Sequence, residues 1–155
     1  MSDRATIRSE SRWRRGPVTK RDSLLFVYGT LRPFAPVSMA RWLAASARHL
    51  GTARTRGRLY DLGPYPGLVH ARRRGDWVIG DLYELHRPRA ALKVLDRYEG
   101  GPRGRGHPRF RRVRCAVERP GGRQTAGAYL YLFRPPIFSP RRVRSGDYRL
   151  HCASA

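Results

Sequence analysis

Apolar residues fall in short blocks separated by Gly, Pro and Arg, and the blocks predict a chain of strands with about two helices. The opening block, Leu24-Leu25-Phe26-Val27-Tyr28-Gly29, is β-prone and predicts a buried strand over 24–29 that stops at a glycine turn. Pro33 and Pro36 stiffen the loop beyond it. Met39, Trp42, Leu43, Ala47 and Leu50 recur at helical spacing, which predicts a helix to Leu50 ended by Gly51. Residues 52–62 read as one strand, and Gly63-Pro64-Tyr65-Pro66-Gly67 as a dense turn before a short strand over 68–71.

Trp77 to Leu85 reads as a strand with a bulge or bend at Gly80. Pro88 suits the first turn of a second helix, which carries Leu92, Leu95 and Tyr98 and stops at Gly100-Gly101. Residues 101–108 are a Gly/Pro/Arg loop. Phe110–Val117 and Thr125–Phe133 read as a hairpin around Pro120-Gly121-Gly122. After Arg134 the chain reads as irregular. The fold class is therefore α+β, with a mostly antiparallel sheet expected to curl into a small barrel. Residues 1–22, polar and aperiodic, are expected to be a disordered basic arm, residues 23–150 one domain, and 151–155 a tail.

The order strand, glycine turn, helix matters chemically. A turn at the end of a rigid strand presents backbone N–H groups that can hold a carboxylate or an oxyanion. Acids are scarce, so each one informs. Asp96 and Glu99 lie three apart at the end of the second helix, which puts them on one helix face. A carboxylate there opposes the helix dipole at a cost of about 0.3–1 kcal/mol. Position alone leaves two readings open: a solvated acid near Arg97 or Arg103, or a functional carboxyl.

The 155 residues contain 33 Lys and Arg against 11 Asp and Glu, a formal charge of +22. Lys appears only at positions 20 and 93 and Asn is absent, so a GC-rich genome explains the choice of Arg over Lys but not the shortage of acids. The Arg residues at 103, 105, 109, 111, 112 and 114 are the best candidates for contact with RNA or another polyanion. Arg111, Arg112 and Arg114 would fall on both faces of a strand, with at least one pointing inward. Trp42 and Trp77 occupy periodic apolar positions and are expected in the core, and Tyr129 and Tyr131 in the core or a cavity wall.

The five His are scattered without ligand spacing, and Cys115 and Cys152 form no CxxC pair. No metal and no cofactor is therefore expected, and the thiols suit a reducing cytosol. No apolar run approaches 18 residues, so no membrane span is expected. The N-terminus lacks the apolar core of a secretory signal.

Val27-Tyr28-Gly29-Thr30-Leu31-Arg32 together with Leu95-Asp96-Arg97-Tyr98-Glu99-Gly100 resembles the γ-glutamylcyclotransferase-like family, which includes the γ-glutamylamine cyclotransferases and AIG2-like proteins. Gly57-Arg58-Leu59-Tyr60, Tyr65-Pro66-Gly67, Gly80-Asp81-Leu82-Tyr83-Glu84-Leu85, Phe110-Arg111-Arg112-Val113 and Gly146-Asp147-Tyr148 are similar to further family landmarks in the same order. The resemblance covers roughly 24–149. It implies a small mixed barrel flanked by helices, with a ligand cavity at its side. It also implies that the turn Tyr28, Gly29, Thr30, Leu31 and Arg32 binds a γ-glutamyl substrate, that Glu99 is the acid/base residue, and that the reaction releases 5-oxoproline without a cofactor in the cytoplasm. The chain departs from the family in having Phe110 where Tyr is usual and Pro33-Phe34-Ala35-Pro36 after the turn. A non-catalytic relative that binds RNA through its basic surface is the alternative.

Overall fold

The computed structural model describes residues 20–70, 75–100, 110–135 and 141–154. The elements, in chain order, are β1 (Leu24–Val27), α1 (Ser38–Ser46), β2 (Ala47–Arg56), β3 (Arg58–Asp61), β4 (Pro66–Val69), β5 (Trp77–Leu85), α2 (Pro88–Gly100), β6 (Phe110–Arg119), β7 (Arg123–Phe133), β8 (Arg141–Arg142) and α3 (Tyr148–Ala153). Five strands close a barrel in the order β1-β5-β2-β6-β7, and β4-β3-β8 form a separate sheet. Within the barrel only the closing contact of β1 with β7, Leu25 beside Tyr129, is parallel. The expected α+β barrel flanked by helices is the observed architecture.

The opening strand has no polar residue because both of its faces are covered. Side chains alternate along a strand. Phe26 enters the barrel core with Leu82, Val113, Val117 and Leu130. Leu25 and Val27 face a second core, packed with Leu43 of α1 and Leu92 and Leu95 of α2. The helices thus seal the side of the barrel that β1 presents.

Several elements differ from the sequence expectation. The first helix ends at Ser46, not Leu50, and β2 begins at once. Ala47 and Leu50 satisfy a strand as well as a helix. Ala47 pairs with Leu85, and a register shift between His49 and Gly51 leaves Leu50 packed on the core. Long-range pairing with β5 overrides the local helical spacing. The single strand expected over 52–62 is broken at Gly57, where the chain leaves the barrel for the second sheet; a side-chain carbon there would sit 3.0 Å from the Val69 carbonyl. The expected turn at 63–67 yields its last residues to β4, which opens with Pro66. Proline is tolerated at the start of an edge strand because no ladder N–H is required there.

Gly80 marks no bulge. Its ladder with Ala53 is regular, and glycine is needed because a Cβ would lie 2.2 Å from the Val27 carbonyl. Trp77 is not a core residue. It is half-buried, with the guanidinium carbons of Arg54 and Arg56 3.8 and 4.5 Å from its ring centre. The segment after Arg134 is not wholly irregular, since it contributes β8 and α3. The Asp147 carboxylate caps α3 by accepting from the Arg149 and Leu150 N–H groups, in the manner usual for an N-terminal Asp. Residues 1–19 of the expected arm and the loop 101–108 lie outside the described residues. Lys20–Ser23 forms a 3-10 turn, and Asp22 there pairs with Arg114. Arg114 is the inward-pointing arginine of β6, since it also donates to the Tyr129 hydroxyl.

Candidate active site

β1 ends at Val27, and the chain turns through Gly29–Arg32, closed by a hydrogen bond from the Arg32 N–H to the Gly29 carbonyl at 3.1 Å. Gly29 is required for close approach rather than for an unusual φ. A Cβ at this position would lie 2.6 Å from Cγ of Pro66. Among the described residues, the N–H groups of Gly29, Thr30 and Leu31 donate to no partner, so the turn presents free backbone donors.

Tyr28 braces the turn. Its buried hydroxyl donates to the Tyr131 carbonyl at 2.6 Å and accepts from the Leu68 N–H at 3.3 Å. Burial first, and then the nearby charge of Glu99, pushes this phenol far above its ordinary pKa. Tyr28 is therefore a neutral strut.

The turn and the end of α2 share one cavity of about 320 Å³. Its floor is buried: Phe26, Val27, Tyr28, Leu31 and Tyr131. Its rim is more exposed, with Tyr65, Tyr98 and Phe110 around it. Phe110 is held edge-on by Tyr65 and Phe133, with ring centres 5.6 and 5.4 Å away.

Glu99 reaches this cavity because of helical spacing. It lies four residues after Leu95 and seven after Leu92, both buried, and so continues the apolar stripe of α2. Asp96, expected on the same face, is turned aside. Its two oxygens accept from the Tyr131 hydroxyl at 2.7 Å and from Arg112 at 3.0 Å.

Every other acid among the described residues is ion-paired with an Arg or a His. Glu99 alone, among those residues, has neither hydrogen bond nor ion pair. In so basic a protein the lack of a cationic partner among the described residues matters. Burial without a counter-charge raises the Glu99 carboxyl from 4.5 to about 7, as expected when desolvation disfavours the charged form.

Of the residues expected in the site, the structure brings together Tyr28, Gly29, Thr30, Leu31 and Glu99. Arg32 is not among the cavity-lining residues. The residue is 4% exposed, and its guanidinium donates to Asp81 at 2.7 Å and Asp147 at 2.8 Å. Asp81 also meets His49 at 2.8 Å. A buried guanidinium requires counter-charge, and two carboxylates from β5 and the cap of α3 supply it. Sequence reasoning did not link these acids to Arg32, and it did not bring Tyr65, Pro66 or Phe110 to the cavity. Among the described residues, no group of three His, Cys, Asp or Glu side chains could hold a metal ion. No helix of the described residues is long and apolar enough to cross a membrane.

Solved structures share this architecture. YkqA from Bacillus subtilis is 26% identical with a TM-score of 0.63 over 86% of this chain, which spans 43% of YkqA. Protein ytfP from Escherichia coli is 27% identical with a TM-score of 0.56, over 81% of this chain and 95% of that one. A mouse AIG2-like protein, 23% identical with a TM-score of 0.58 over 75% and 80% of the two chains, shares the fold. Curated proteins give no match. The family model described as gamma-glutamyl cyclotransferase, AIG2-like, matches residues 25–150, and the chain belongs to that family.

Proposed function

We propose that the protein is a cytoplasmic, cofactor-free cyclotransferase that releases 5-oxoproline from a γ-glutamyl amine or amide. The observation that carries this reading is Glu99, the unpaired acid in a cavity floored by the 28–31 turn. The free N–H groups of Gly29, Thr30 and Leu31 hold the substrate α-carboxylate. The substrate folds so that its α-nitrogen meets its own γ-carbonyl carbon. Pre-organised geometry of this kind is worth about 7–11 kcal/mol in the best intramolecular reactions.

Ionised Glu99 takes a proton from the α-ammonium. The amine attacks, a nitrogen–carbon bond closes the five-membered lactam, and the bond to the leaving nitrogen breaks. Protonated Glu99 returns that proton to the leaving nitrogen, and the second proton shed by the α-nitrogen follows by the same carboxylate, which ends ionised. The substrate's atoms are divided between 5-oxoproline and an ammonium, with no other reactant. A pKa of about 7 suits a group that must both accept and donate near neutral pH. An arginine beside Glu99 would hold the carboxyl ionised and weaken its second role.

Incubation of the purified protein with γ-glutamyl amines and γ-glutamyl dipeptides tests the reading. Release of 5-oxoproline from at least one is expected; none from any, with the protein folded, overturns it. A second reading, polyanion binding, is favoured by the stacking of Arg54 and Arg56 on half-buried Trp77. A defined RNA footprint that survives moderate salt would support it over simple charge attraction.

A further inference from the structure

The cavity has a graded wall, and the gradient orients a substrate. Donor N–H groups and the buried floor lie at the 28–31 turn, whereas the more exposed part of the wall is aromatic: Tyr65, Tyr98 (44% exposed) and Phe110. A glutamyl group anchored by its α-carboxylate at the turn directs its leaving amine to that aromatic rim. Among the described residues, no cation lines the cavity, and Glu99 is the sole acid there.

We infer that the leaving group is an uncharged, apolar amine, aliphatic or aromatic, whose body packs between Tyr65, Tyr98 and Phe110. The inference rests on the cyclotransferase reading and narrows its substrate class. Two physical arguments carry it. A leaving group with its own carboxylate finds no cationic partner among the described residues of this wall, and an unpaired anion carried out of water is costly. It would also stand beside Glu99 and oppose the ionisation needed to start the reaction. A leaving group with a second ammonium is drawn to Glu99, the one unpaired acid among the described residues, and holds it ionised when it should be donating a proton. The formal charge of +22 repels that cation at long range as well. An uncharged chain has neither defect, and its burial against three rings is favourable.

The chemistry at the scissile bond is unchanged. The α-nitrogen bonds to the γ-carbon, the amide nitrogen leaves, and the two protons shed by the α-ammonium end on the departing nitrogen.

A matched series isolates the charge. The γ-glutamyl amides of n-butylamine, diaminobutane and aminobutanoate differ chiefly at the chain end: methyl, ammonium or carboxylate. With the wild-type protein, kcat/KM for 5-oxoproline release from the butylamide should exceed that from either charged amide by about tenfold or more. Tyr98→Arg, at an exposed position on α2, places a guanidinium at the rim. It should raise the aminobutanoate-to-butylamide ratio by about fivefold or more. Equal or reversed rates in the wild type would overturn the inference and leave the cyclotransferase reading standing. No 5-oxoproline from any of the three, with release from another member of the wider panel, would overturn the inference alone; none from the three and none from the wider panel would overturn both.

Discussion

The guanidinium of Arg32 and the carboxylate of Asp147, 115 residues apart in sequence, meet at 2.8 Å outside the cavity whose wall the preceding residues form. The same carboxylate caps α3, and the same guanidinium holds Asp81 of β5. The site turn is thereby fastened to the last helix of the chain. Arg32→Met leaves a buried Asp81 facing only half-exposed His49. It should cost about 3–5 kcal/mol of stability, read by chemical denaturation. Arg32→Lys, a point charge without the two-armed reach, should fall between wild type and Met. A loss below about 1 kcal/mol for Met would remove the clamp.

Glu99→Gln should keep the fold and lower turnover by about 10²–10⁴, the usual contribution of a positioned acid/base group. It should also stabilise the protein at neutral pH by about 1–3 kcal/mol, because the amide escapes the cost of ionising a half-buried carboxyl. Thermal melts paired with 5-oxoproline assays check both. Retained turnover would remove Glu99 from the mechanism.

The pH profile follows from the raised carboxyl. An acid whose folded pKa, about 7, lies above its unfolded 4.5 binds its proton more tightly in the native state. Its stabilising contribution is full below pH 4.5 and is lost as pH rises through 7. Activity runs the opposite way, because the ionised form must start the reaction. kcat/KM should climb with pH along a limb centred near 7. Glu99→Gln should lack the corresponding slope in stability.

Gly29→Ala should cost about 1–3 kcal/mol and raise KM. The new methyl meets Cγ of Pro66 at 2.6 Å, and either the turn or the start of β4 must yield. Denaturation midpoints and KM for a turned-over γ-glutamyl amide measure the two effects. A variant with unchanged KM would show that the turn does not contact substrate.

Elements whose cause is local were legible in the sequence. The unbroken apolar run of β1 reports burial on two faces, and the stripe through Leu92 and Leu95 marks α2, although position alone left Glu99 open between a solvated and a functional carboxyl. Features set by distant contacts were not. Arg32 reads as a site residue until Asp81 and Asp147, 49 and 115 residues away, are brought to it. The helix expected to reach Leu50 is cut short by pairing with β5, which no spacing within α1 foretells. Trp77 fits an apolar position, yet the cross-strand arginines that cover it come from β2. Asp96 and Glu99 share a helical face by spacing, and only Arg112 and Tyr131 separate their fates.

The parallel contact of Leu25 with Tyr129 has a consequence for how the chain reaches its native state. Parallel neighbours cannot form as a hairpin, so the first strand must await nearly the last. The entropy of closing so long a loop falls due before the contact returns anything, which favours slow assembly. During synthesis the Leu24–Val27 strand leaves the ribosome about a hundred residues ahead of its neighbour. Even after β5 pairs with it, its other side stays a bare apolar edge until β7 arrives and invites association with other nascent chains, and no hollow for a substrate yet exists.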